Sequence, residues 1–139
     1  MASRQRSVDV WIALSALTAA MLALPFALNS WNGPEVASVL AISATAMLAG
    51  QRWAIAVVVI AELLLVPTVL PRVFVGGHVG ITAVHFLSVA MLVPGLLSMR
   101  GAATELVALS GWQGTQKKVR RLHFALIFAL TLVGLLPFL

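Results

Sequence analysis

Only four of the 139 residues are acidic, and one of them, Glu62, stands near the middle of "AIAVVVIAELLLVPTVLP", an otherwise apolar run at residues 54–71. If that run crosses a membrane, an ionised carboxylate at its centre costs at least about 2.5–3.5 kcal/mol on insertion scales. Glu62 lies nine residues from Trp53 and nine from Pro71, which puts it ~13 Å from either end of a helix. Its side chain is too short to reach the interface from there. The carboxyl group is therefore expected to be protonated, paired with another group, or open to a wet cavity. Pro67 adds a second irregularity, because it cannot donate to the carbonyl of Leu63 and so leaves a bare acceptor beside Glu62. Both features should face protein rather than lipid.

A partner for Glu62 is offered by "GGHVGITAVHFLSVAMLVPG". His78, Thr82 and His85 are spaced i, i+4, i+7 on one helix face, with Ser88 at its margin. A helix starting near Gly77 would place His85 ~12 Å deep, close to the expected level of Glu62. The two apolar runs are consecutive and joined by a short link, so they should lie side by side and antiparallel. A Glu62–His85 hydrogen bond or ion pair follows, able to hold a proton between the two groups as a relay or as an acid/base pair. His78, Thr82 and Ser88 are the accompanying binding candidates. The plainer alternative is structural, with the pair fixing helix register and His78 solvated at the interface.

Other chemistry finds less support. His123, in "KKVRRLHFALIF", opens the last apolar run and reads as an interfacial histidine in a basic patch. No two histidines share one depth, which disfavours haem ligation. Histidines at i and i+7 stand ~10 Å apart, too far for one ion shared with Glu62. No metal or other cofactor is expected. The chain has no Cys, hence no thiolate site or disulfide. "VGGHVG" lacks the strand, helix and spacing of a phosphate loop.

The elements that must position Glu62 and His85 are apolar helices. The chain is 61% hydrophobic and 9% charged, whereas a soluble domain carries roughly a quarter of its residues as charges. The reading is an all-α integral membrane protein, one domain over 1–139, with five transmembrane helices at about 10–28, 34–49, 53–70, 77–99 and 122–139. "NSWNGPE", "AGQRW" and "LPRV" supply the breaks, with Asn32 or Gly33 capping and Pro34 in the first turn of the second helix. Pro25 and Pro94 should kink the first and fourth helices. With the N-terminus cytoplasmic and the C-terminus outside, every Lys and Arg except Arg72 falls on the inner side. Trp11, Trp53 and Trp112 then mark the inner interface and Trp31 the outer one. This topology accounts for the net charge of +5 without nucleic acid.

Residues 100–121 form the one sizeable loop, cytoplasmic and basic. Its first half suits a short interfacial helix with Leu106, Val107, Leu109 and Trp112 towards lipid. Its second half, with Lys117, Lys118, Arg120 and Arg121, is a topology anchor or an anionic-lipid site. The second span carries Ala37, Ser38, Ala41, Ala44, Thr45 and Ala49, small residues that let helices approach closely within or between chains. Because this reading concentrates the polar groups in the outer half and leaves the inner half nearly bare, a pocket opening outward or sideways is expected rather than a pore. These features point to an accessory subunit of a larger complex in the cytoplasmic (inner) membrane, or to a small oligomeric carrier. The alternatives are an embedded enzyme doing acid/base chemistry on a lipid or isoprenoid, and a proton- or cation-conducting protein. The expected partners are the bilayer and other membrane subunits or further copies of the chain.

Overall fold

The computed structural model describes residues 2–27, 33–75, 79–111 and 116–139, and every element among them is helical. In order these are α1 (Ala2–Ala27), α2 (Gly33–Leu48), α3 (Ala54–Val75), α4 (Val79–Leu97), α5 (Met99–Leu109) and α6 (Gln116–Leu135), with a closing 3-10 turn at Leu136–Phe138. His78, Trp31 and Trp112 lie outside the described residues.

Alanines line much of the interior, and many large apolar side chains lie outside. Ala13, Ala16, Ala20 and Ala23 of α1, Ala37 and Ala44 of α2, and Ala54 and Ala61 of α3 are all buried. Trp11, Met21, Ile42, Phe74, Phe86, Leu97, Phe124 and Phe128 are exposed. An exterior this apolar suits a hydrocarbon solvent, and the alanine seams let backbones pack closely where apolar burial gives no drive. α1 packs on α2 and α4, and α3 packs on α2 and α4. The first four helices therefore run up and down and close a ring in chain order. α5 and α6 pack on each other and on α3.

Among the described residues, three segments are long and apolar enough to cross a bilayer: Ser3–Ala23, Ala54–Phe74 and Gln116–Phe138. α4 and α5 qualify only as a pair, bent by 52° where they meet. α2 has 16 residues, about 24 Å of helix against a ~30 Å hydrocarbon core. The length criterion thus yields three spans, or four with the bent pair, and α2 is the element on which a count of five depends.

Helix ends also differ from the sequence reading. α1 begins at Ala2, and α6 begins at Gln116, so both carry their flanking basic residues on helix. α3 continues through Pro67 and Pro71 to Val75, because Pro71 falls in its closing turns, where neighbouring helices and the helix end can accommodate the lost donor. Arg72 then sits in the last turn, at the negative end of the helix dipole. α2 stops where expected. Gly50, at φ +88°, lets Gln51 N donate to Ala46 O (3.1 Å) and Gly50 N to Met47 O (3.0 Å), a glycine-closed helix end that turns the chain into α3.

Basic residues gather at one end of the bundle. Arg6 and Asp9 of α1, Gly50 to Arg52 of the α2–α3 turn, and Thr104 and Glu105 of α5 line a cleft of about 210 Å³. Arg52 Nη2 donates to Glu105 Oε1 at 3.3 Å across it. A surface pair of this kind contributes ~1 kcal/mol or less, so it orients α5 more than it holds it. The stronger hold is apolar. Met99, Ala102, Ala103 and Val107 of α5 are buried, with Met99 and Ala102 packed on Val59 and Leu63 of α3. Val107 therefore faces protein, not lipid, whereas Leu109 is exposed as expected. Trimming Val107 to Ala should lower the thermal stability of the purified protein by about 1–2 kcal/mol. Leu109→Ala should leave it within about 0.5 kcal/mol. Equal losses in the two variants would contradict this seating of α5.

Candidate functional site

Glu62 is fully enclosed, at 0% exposure. It leaves α3 between two apolar clusters: Val58, Ala61 and Leu65 belong to the ring core, and Val59 and Leu63 to the core shared with α5. Its carboxyl group lies against the backbone of α4 at Gly95. A Cβ placed on residue 95 would land on the carboxyl carbon and both oxygens. The absence of a side chain at 95 is thus what makes room for the acid. Neither carboxyl oxygen has a hydrogen-bond partner among the described residues. The ionised form has nothing here to offset its loss of hydration.

The backbone hydrogen-bond ladder around this contact is interrupted in two places. In α3, Pro67 removes the donor that would satisfy the carbonyl of Leu63. In α4, the helical ladder tightens after Pro94: Ser98 N donates to Gly95 O at 2.9 Å, and Ser98 Oγ donates to the same oxygen at 2.6 Å. The chain then turns into α5. The helix wall beside Glu62 therefore ends within a turn of the carboxyl group.

His85 and Ser88 are buried, at 6% and 2% exposure, and Thr82 is half-buried. Residues 85, 88, 92 and 95 follow a 3-4-3 spacing, and all four are buried, so they form one inward stripe on α4. The expected Glu62–His85 hydrogen bond is not formed. Glu62 meets α4 at Gly95, ten residues beyond His85, or ~15 Å further along the axis. The reason is register. With α3 running to Val75, Glu62 lies 13 residues (~20 Å) from that end, while His85 is six residues (~9 Å) from the start of α4. In this arrangement the two groups lie at different depths on facing helices.

The same shift changes the distribution of polarity. Glu62 belongs to the half of the bundle nearer the basic end, with His85 and Ser88 in the other half. Leu92, 2% exposed, stands between them on the stripe. Polar groups thus occur at several depths, interrupted by an apolar residue, and Glu62 is enclosed by protein at 0% exposure. On α2, Ala37 and Ala44 pack inward as expected, but Ser38 and Thr45 face outward and donate to Pro34 O and Ala41 O of their own helix.

His123 contributes to a basic cleft between α5 and α6, with Arg100, Lys117 and Arg120. Sequence reasoning missed Gly95 and Arg100 as site residues. The Pro94–Gly95 dipeptide inside an apolar run was the available signal for the first, and it reads equally well as a simple kink. Among the described residues no three His, Asp or Glu side chains come together as a metal would require. No family model, curated protein or solved structure matches the chain.

The Glu62–Gly95 contact is testable by labelling with an apolar carbodiimide, which attacks buried carboxyl groups. Gly95→Ala must displace the carboxyl group, and since that group ends a flexible side chain the backbone can stay in place. Labelling of Glu62, mapped by mass spectrometry against the other three acids, should speed up in the variant by about tenfold, the equivalent of ~1.4 kcal/mol of lost shelter. An unchanged rate would contradict the contact.

Proposed function

We propose that the chain is a small multi-pass protein of the cytoplasmic (inner) membrane that works as an oligomeric carrier, with Glu62 as the group that takes up and releases a proton or small cation. The observation behind this reading is the enclosure of Glu62 without a partner. A carboxyl group in that state weakens a bundle, since a leucine or glutamine of similar size would pack there at lower cost. A second protein chain cannot reach it at 0% exposure. A proton or small ion can, if α3 and α4 part locally. The prolines and the helix break beside Glu62 are where such a motion is cheapest.

His85 and Ser88 would serve the half of the path away from the basic end, with Leu92 as the barrier between them and Glu62. By the positive-inside rule the basic end faces the cytoplasm, the N-terminus with it, and the C-terminus lies outside. In this topology α2 completes a fifth, short crossing.

α6 favours assembly. None of its residues is buried, and it is held to the rest by part of its surface, including an edge contact between Phe138 of the closing turn and Phe74 of α3 (ring centroids 5.7 Å apart). Its remaining apolar surface suits lipid, further copies of the chain, or another subunit. That observation also favours the reading as an accessory subunit of a larger membrane complex, for which a stoichiometric partner co-purifying from the native membrane is the expected result.

Proton uptake into liposomes, driven by a potassium diffusion potential and followed with an internal pH dye, tests the carrier reading. Glu62→Gln should keep the fold and lower the rate about tenfold or more, a loss of at least ~1.4 kcal/mol in the rate-limiting barrier. Leu92→Ala should raise it. Wild-type rates in Glu62→Gln would overturn the assignment of Glu62.

A further inference from the structure

We infer that the cleft between α5 and α6 is a binding site for the phosphate headgroup of an anionic membrane lipid. The cleft holds about 590 Å³ and is lined by Arg100 and Thr104 of α5 and by Gln116, Lys117, Val119, Arg120, His123 and Phe124 of α6. Arg100 and Thr104 are one turn apart on α5. Lys117, Arg120 and His123 recur every three residues on α6, so the two helices present basic faces to one gap.

No acid lines the gap. Glu105, the acid on α5, is turned to the other side and paired with Arg52. Three permanent cations held in one cleft repel each other, and an anion between them removes that cost. Phosphate suits the donor set, since Arg presents paired donors to its oxygens and Lys a point charge. His123 adds a second sign of a missing partner: its Nδ1 is buried and makes no hydrogen bond among the described residues.

Size and position favour a lipid over a free ion. A cleft of about 590 Å³ falls in the ~300–1,000 Å³ range of sites for organic ligands, so it has room for a glycerol phosphate headgroup. Below the basic rim α6 becomes apolar, and Phe124 and Phe128, one turn apart, are exposed at 62% and 68%. Acyl chains can follow that surface while the phosphate stays at the basic end. Arg121 does not line the cleft, so the basic run of the sequence divides into residues that line the site and residues that do not.

Native mass spectrometry of the full chain in mild detergent tests this, with phosphatidylglycerol, phosphatidylcholine and inorganic phosphate as probes. One phosphatidylglycerol should be retained per chain, and phosphatidylcholine should not. Arg100→Gln/Arg120→Gln should weaken retention about tenfold or more, as expected for lost charged hydrogen bonds. Lys117→Gln, a single change at an exposed residue, should weaken it about threefold and serves if the double variant does not fold. Arg121→Gln should have no effect. Equal losses from Arg121→Gln and Lys117→Gln would mean diffuse attraction to basic charge and overturn the site. Displacement of the lipid by inorganic phosphate at matched concentration would overturn the lipid as its occupant.

Discussion

Glu62 reaches from α3 to the backbone of α4 and fits there because residue 95 has no side chain. That single close approach sets the register of the two helices, and with it the depth at which every other polar group lies. It also requires α3 and α4 to pack tightly on both sides of the acid, which the small and β-branched residues around it allow. Val58, Val59 and Ala61 bring no bulk, and the alanine seams of α1 and α2 draw the rest of the ring in behind them. A carboxyl group enclosed this way subtracts from stability. The bundle tolerates it through the packing of the helices around it, and the missing donor at Pro67 and the helix break at Ser98 place the weakest stretches of backbone beside the least comfortable side chain.

The class of structure was legible in composition, since long apolar runs with almost no charge leave a helical bundle with an apolar exterior as the natural outcome. Glu62 and His85 were legible as buried polar groups for the same reason. Their relation was not. It depended on helix ends, and the sequence places an end at Leu70–Pro71 that the chain does not respect. A few residues of extension on α3, set against a later start for α4, set the two groups ~15 Å apart along the axis of α4. Gly95 was hidden because a missing side chain leaves no mark on a hydrophobic pattern. Ser38 and Thr45 looked like packing residues by size, but a hydroxyl that can satisfy itself on its own helix gains nothing by turning inward. Val107 was misplaced because periodicity alone does not say which face of α5 meets α3.

The bundle divides its labour along its length. Away from the basic end, the stripe of α4 carries His85 and Ser88 into the ring. Leu92 closes that stripe before it meets Glu62, so an apolar residue separates the two polar regions. At the basic end, α5 turns off α4 by 52° and, with α6, frames clefts rich in Arg and Lys. The bend at Ser98 belongs to both regions, since the carbonyl it fastens is that of Gly95. A change in the angle between α4 and α5 would therefore be felt at the Glu62 carboxyl group, which gives the carrier reading a mechanical route between the basic end and the buried acid.

The register of α3 against α4 carries this account, and the absence of native cysteine makes it directly measurable. The double variant Glu62→Cys/Gly95→Cys should form a disulfide under mild oxidation, because the carboxyl carbon of Glu62 overlaps the Cβ position of residue 95, which keeps the two Cβ atoms within about 5 Å, near the span of a disulfide. Glu62→Cys/His85→Cys should stay reduced under the same conditions. Cross-linking of the second pair and not the first would show that the acid and the histidine share one level after all, and would contradict the arrangement described.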